Sequence, residues 1–270
     1  MSQIPATSPE IDQDESKLPF WKRSHYLDRM TLGQLFSAYF QHYTIVVYLA
    51  LAALCVAGWF LFPASALNTG LAVLAALLVY PLVWHLLHQY VLHGQWPYKI
   101  KWLASTWKRI HYDHHQDPNH LEVLFGALHT TLPTIAIATF PVGWLIGGMG
   151  GGLAALATGI LTTCYYEFMH CIQHLAFKPK WKWVQFMKQR HNEHHYFDED
   201  GNYGITNYMW DRLLRTYYEK KDRPSRSPTV FNLGYTEEVA VRYPWVKELS
   251  GGIASGHPRR RAMGKEGSDG

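Results

Sequence analysis

TIVVYLALAALCVAGWFLF, residues 44 to 62, carries no charged side chain on any face. A helix of a soluble fold keeps charge on its outer side. This run instead has the length of the roughly 20 apolar residues that cross about 30 Å of hydrocarbon. Three further runs have the same character: about Leu67 to Trp84, Leu128 to Ile146, and Gly152 to Phe168. The second and fourth runs in chain order are somewhat short, so their helices are expected to continue past the bilayer. No Lys or Arg occurs from residue 30 to 98 or from 110 to 177.

The 25 basic residues fall in three places: four before the first run, four after the second, and 17 from Lys178 onward. The connections at Pro63–Ala66 and Gly147–Gly151 have none. This asymmetry implies four spans in two tight hairpins, with every basic segment on the cytoplasmic side. The expected fold is an all-α integral membrane protein with a histidine-rich helical cap on the cytoplasmic face. Trp59, Trp84 and Trp144 suit the interfacial belt. The stretches 98–111 and 181–191 mix Trp with Lys and Arg, as helices lying on a membrane surface do. That pattern makes nucleic acid the weaker partner for the charge. Residues 1–42 read as a cytoplasmic or interfacial segment whose first 20 residues hold no apolar signal-peptide core, 43–249 as the membrane domain, and 250–270 as a disordered Gly- and Arg-rich tail. Three cysteines, Cys55, Cys164 and Cys171, give no disulfide framework.

Sixteen histidines are many for 270 residues. HYDHH places His111, His114 and His115 on one helical stripe, and HNEHH does the same for His191, His194 and His195, because i, i+3 and i+4 share a face. His170 and His174 form an i, i+4 pair just past the fourth run. His88 and His93, just past the second, are spaced i, i+5. That spacing suits a π-type bulge or a helix end near Gly94. Neutral imidazole binds zinc, iron and copper. Ten such ligands exceed the four of tetrahedral zinc or the six of octahedral iron, so two ions are the economical reading. His25, His42 and His257 read as ordinary residues. His85, His120 and His129 lie near the clusters without matching their spacing.

The four boxes, HQYVLH (88–93), HYDHH (111–115), YEFMHCIQH (166–174) and HNEHH (191–195), resemble the fatty acid hydroxylase and sterol desaturase superfamily over about residues 70–218. The segment GNYGITNYMWDRLLRT (201–216) is similar to the one that follows the last box there. The spacing looks most like the fatty acid 2-hydroxylase branch. Gln89 stands where that branch often has Arg, and Leu175 follows His174 where it has a second histidine. No cytochrome b5 domain fits in residues 1–42, and HPRR at 257–260 lacks the HPGG heme motif.

The resemblance implies two irons and O2 as co-substrate, with zinc able to replace iron during purification. It assigns His88, His93, His111, His115, His191 and His195 to one ion, and His114, His170, His174 and His194 to the other. Asp211 and Glu167 are the carboxylates that would orient a ligand imidazole. Asp211 has the alternative of a helix salt bridge with Arg215, and Glu167 that of capping the span end. Tyr80, Trp84 and Tyr90 are candidates to line a lipid's route.

The expected activity is hydroxylation of an unactivated C–H in a fatty acyl, sphingolipid or sterol-type lipid. Electrons would come from a separate cytochrome b5-, ferredoxin- or reductase-type donor. A desaturase or sterol methyl oxidase on the same scaffold stays open. A metal transporter or metal-binding membrane protein is the alternative of another class, and charge-free span centres speak against transport. The membrane can be a bacterial inner membrane or the endoplasmic reticulum.

Overall fold

The computed structural model describes residues 25–253 and 256–257. The expectations for residues 1–24, 254–255 and 258–270 therefore lie outside the described residues. Among the described residues the regular structure is helical, with a single isolated β-bridge between Tyr26 and His120 and no strand.

Helix α1 (Leu32–Gln41) opens on a capping box, in which Gln34 N–H donates to Thr31 Oγ1 and Gln34 Oε1 accepts from Thr31 N–H at 2.8 Å. Helix α2 (Tyr43–Leu61) is capped by His42, whose Nδ1 accepts the Thr44 amide. Helix α3 (Ala66–Leu87) is capped by Ser65 and runs on through a π turn, His88–Leu92. Helix α4 (Lys101–Trp107), a second π turn (Lys108–Tyr112) and α5 (Asp113–Gln116) form one continuous rod. A single turn, α6 (Leu121–Leu124), leads into α7 (Leu128–His174). Helix α8 (Lys182–Tyr196) follows, then α9 (Met209–Leu213), α10 (Glu237–Arg242) and α11 (Trp245–Ser250).

Three helical stretches are long and apolar enough to cross a membrane: Tyr43–Leu61, Ala66–Leu92 and Leu121–His174. The expected third and fourth spans are thus one 47-residue run in α7, broken where Gly147 and Gly148 leave helical geometry. Gly148 has φ +61°, a conformation open to glycine without strain. The chain reverses there. A Cβ built on Gly143 would stand 2.3 Å from the Gly151 carbonyl, and one on Gly159 would stand 2.8 Å from Thr139. The two arms of α7 therefore lie antiparallel in backbone contact, as small residues permit between membrane helices. Gly150 sits as close to the Phe62 carbonyl, so this turn packs on the α2–α3 turn. Both reversals share one end of the bundle, and the histidine-bearing helix ends share the other.

Tyr39 and Tyr48 tie α1 and α2 to α7, the first donating to the Cys164 carbonyl and the second sharing a hydrogen bond with Thr131. All three cysteines are free, and Cys55 and Cys171 are buried. The stretch 98–111 departs from a purely surface-lying helix. Trp102 is 75% exposed, but Trp107 is buried among Tyr98, Tyr112 and Tyr235, and its Nε1–H donates to the Leu92 carbonyl. Burial of one face against α11 outweighs the interfacial pattern.

Gly143→Ala is expected to destabilise the protein by about 1–3 kcal/mol through overpacking. Gly33→Ala, which meets nothing within 4 Å, should be neutral or stabilising. Thermal unfolding in detergent reads both.

Candidate metal centre

The first box depends on its π turn. On an α-helix, five residues leave two side chains about 140° apart. Here the His93 amide reaches back to the His88 carbonyl, an i→i+5 bond of 3.0 Å, and the two rings lie 4.9 Å apart. The expected bulge before Gly94 is therefore present. A second π turn, closed by Asp113 N–H to the Lys108 carbonyl, carries His111. No spacing irregularity in HYDHH signalled it.

All ten histidines converge. His114, His170, His174, His191 and His195 form one group, and His88, His93, His111 and His194 another. His115 lies between them, grouped with His194 and His195. Within each group the facing ring nitrogens lie within 4.8 Å of one another. The division differs from the one the resemblance carried over. His191 and His195 sit with the His114 group, and His194 sits with His88. On α8, His191 and His195 point about 40° apart, whereas His194 points about 100° from His195. The helix thus serves one group with one pair and the other group with a single ring.

Nine of the ten are buried and His93 is half-buried. Three outer nitrogens meet backbone carbonyls: His88 Nδ1 at Tyr203 O (2.7 Å), His194 Nδ1 at Gly201 O (2.7 Å) and His115 Nδ1 at Val230 O (3.0 Å). A carbonyl only accepts, so each Nδ1 carries the proton and each Nε2 offers a lone pair. Those three Nε2 atoms are buried without a hydrogen-bond partner. Elsewhere, nitrogens face each other across 2.8 Å (His93–His111), 2.9 Å (His174–His191) and 3.1 Å (His114–His170). Adjacent ligands of an ion with bonds of about 2.1 Å stand about 3 Å apart. Facing nitrogens at that spacing, beside the three unpartnered Nε2 atoms, fit transition-metal ions.

Burial, reinforced by repulsion among neighbouring imidazoles, holds His93, His111, His114, His191, His194 and His195 well below the usual histidine range. His115 is pushed down to about 3 by burial, against the opposing pull of its Val230 bond. These rings are neutral at pH 7, the form a metal binds.

Asp211 is fully buried. It accepts from Tyr203 N–H (2.7 Å), Gly204 N–H (3.0 Å) and Thr216 Oγ1–H (3.0 Å), and His85 Nδ1 lies 3.5 Å away. It does not take the alternative role with Arg215, whose exposed side chain forms no ion pair among the described residues. The carboxylate fixes the Tyr203 carbonyl that in turn fixes His88. Its action on a ligand imidazole is indirect, through the 201–204 loop, where Gly201 at φ +146° leaves 2.5 Å between its absent Cβ and the Thr216 carbonyl. The carbonyls of Tyr203, Gly201 and Val230 were not foreseen, because backbone acceptors leave no residue-type signal.

Glu167 is buried beside His170 and takes the Gly126 amide. His120 bonds Glu122 at 2.6 Å, His129 is exposed, and His42 stacks on Phe125. These three, with His25, His85 and His257, lie outside the groups.

A cavity of about 240 Å³ ends on His88, His111, His114, His170, His191 and His195. Trp84, Leu87, Val91, Leu92 and Ile110 make its wall apolar, and Tyr166 and Glu167 stand near the rings. Of the three aromatics expected along a route, Trp84 lines it. Tyr80 is buried in the core and Tyr90 is 60% exposed. Trp84 is thus a cavity residue.

The profile of the fatty acid hydroxylase family matches residues 73–216, and the chain belongs to that family. It is 26% identical over 146 residues to the ceramide very long chain fatty acid hydroxylase SCS7 of Saccharomyces cerevisiae, covering 52% of this chain and 36% of that one. Dihydroceramide fatty acyl 2-hydroxylase FAH2 of Arabidopsis thaliana is 26% identical over 148 residues, covering 54% and 60%. Fatty acid 2-hydroxylase of Rattus norvegicus is 25% identical over 156 residues, covering 57% and 41%. The chain therefore spans between about a third and three fifths of the length of these relatives. A solved structure of full-length scs7p, with only its hydroxylase domain visible, superposes with a TM-score of 0.58 at 21% identity over 68% of each chain, which shows a shared fold.

Asp211→Ala is expected to weaken zinc or iron binding by about 10–100-fold, with Arg215→Ala unchanged, in chelator-competition titrations. The metal-free protein should also lose stability in acid. An unfolded histidine binds a proton near pH 6.5, and the folded rings resist it. Stability is therefore full above about pH 6.5 and falls as the pH drops below it. Melts of metal-free protein from pH 8 to 5 test this; a flat profile contradicts it.

Proposed function

We propose that this chain is an O2-dependent lipid hydroxylase that inserts oxygen into an unactivated C–H bond of an alkyl chain. The observation that carries the reading is the apolar cavity ending on two groups of neutral, inward-facing imidazoles. His88, His93, His111 and His194 would hold one iron, and His114, His170, His174, His191 and His195 the other, with His115 between them. When bound, the two irons supply the oxidant that no side chain provides.

The chain's own residues supply the rest. Trp84, Leu87, Val91, Leu92 and Ile110 bind the alkyl chain and exclude water. The carbonyls of Tyr203, Gly201 and Val230 hold the imidazole protons outward. Asp211 keeps the 201–204 loop in place. The carboxyl of Glu167 faces the cavity beside His170, where a proton consumed in oxygen reduction can be delivered.

The substrate is a membrane lipid, and the names of the relatives favour an acyl chain, as in ceramide, over a sterol. The chain would sit in the membrane with four spans in two hairpins, the histidine helices on the cytoplasmic side with the basic residues. Its electrons would come from a separate donor protein.

Lipidomics of cells expressing the chain under 18O2 should show a lipid gaining one labelled oxygen. A loss of two hydrogens would instead identify a desaturase. His194→Ala should remove the product by about 100-fold or more, and His129→Ala, at an exposed ring outside the groups, should leave it. Full activity in His194→Ala would contradict the assignment.

A further inference from the structure

The face of α8 turned away from the histidines is basic and grooved. From Phe168 to Asn192 the chain holds Lys178, Lys180, Lys182, Lys188 and Arg190 and no Asp or Glu. Two of these are engaged: Arg190 pairs with Glu193 at 3.0 Å, and Lys188 donates to the Leu175 carbonyl. Lys178, Lys180 and Lys182 are exposed and have no ion pair among the described residues.

A groove of about 840 Å³ follows this face past Gln185, Gln189 and Asn192. Beside it opens a polar cavity of about 270 Å³ that shares Lys188, Asn192 and Tyr196 with the groove and reaches His174. This cavity has no lining residue in common with the apolar one. The histidine groups are thus approached from two sides, one apolar and one polar and basic.

Hydroxylation needs the second approach. The balance RH + O2 + 2 e⁻ + 2 H⁺ → ROH + H2O requires two electrons that the lipid does not give. We infer that the groove along α8 docks an acidic one-electron carrier protein, which reduces the site from the His174 side. Each visit oxidises the carrier by one electron and reduces the site by one, so two visits serve one turnover. The inference rests on the hydroxylase reading. Charge complementarity commits it to an acidic protein, since unpaired lysines steer such partners. A bilayer surface is flat and does not fill a groove, whose lining sets Lys178, Lys188 and Lys220 beside the polar Gln185, Gln189 and Asn192, the apolar Phe177 and Pro179, and Glu193, which Arg190 neutralises. Exposed Trp181 nonetheless makes an anionic membrane the competing occupant, and the experiment separates the two.

The full chain is placed in nanodiscs of neutral phosphatidylcholine and loaded with iron. Two acidic probes are used, soluble cytochrome b5 and a [2Fe–2S] ferredoxin, each with its reductase, and methyl viologen serves as the small reductant. Binding is read by biolayer interferometry and site reduction by optical titration, both without lipid substrate. At least one probe should bind the wild type, more weakly as salt rises. Lys178→Glu/Lys182→Glu should weaken that binding by about tenfold or more and slow reduction by the probe, leaving reduction by methyl viologen intact. Arg242→Glu/Lys247→Glu, on α10 and α11, should bind as wild type. Binding of neither acidic protein overturns the proposal, as does equal loss in the control pair. So does a variant that keeps the carrier and loses affinity for phosphatidylserine vesicles. Docking and reduction here, together with no lipid gaining labelled oxygen in cells under 18O2, would refute the hydroxylase reading and leave the docking surface standing.

Discussion

Burying ten imidazoles without charging them is the constraint on which the rest of this structure depends. A protonated ring in that interior would meet mainly neighbouring rings, so each must remain neutral and keep a lone pair pointed inward. Neutrality alone leaves the tautomer open. Three backbone carbonyls settle it for His88, His115 and His194 by accepting from Nδ1. The irregular chain beyond the last box therefore acts as scaffold for the site, although none of its described residues joins the ligand groups.

That scaffold is arranged outward in steps. The Asp211 carboxylate gathers two amides and a hydroxyl, and so sets the loop that presents the Tyr203 carbonyl. Asn202 fastens the same loop to Tyr218 through two hydrogen bonds. Gln116 donates to the Phe231 carbonyl next to Val230, which locks the second box to the segment that orients His115. The transmembrane-length helices contribute differently. Their small-residue contacts bring both turns to one end of the bundle, which leaves the His88 and His170 ends adjacent at the other.

Much of this was legible in the sequence, for reasons that differ between elements. Charge-free runs expose themselves by composition, so the apolar helices and the reversal at Gly147–Gly148 were readable. Periodicity and spacing exposed the ten histidines and the π turn at the first box. The π turn at Lys108 was not readable, since HxxHH fits an ordinary helix equally well. The division of ligands between the groups was not readable either, because it depends on how α8 is rotated against α7 and the first box. Trp107 shows the same limit: an amphipathic pattern gives the presence of an apolar face but not whether lipid or protein covers it. The polar approach to His174 is assembled from α8, Asn119 and His257, segments too far apart in the chain to suggest one another.

X-ray absorption at the iron edge, on protein loaded with iron and quantified per chain, tests the central claim most directly. The account predicts two irons per chain in an all-nitrogen and oxygen shell, with nitrogens near 2.1 Å and the outer-shell scattering of several imidazole rings. A single iron, a sulfur ligand from any of the three cysteines, or a shell of oxygens without imidazole scattering would contradict it.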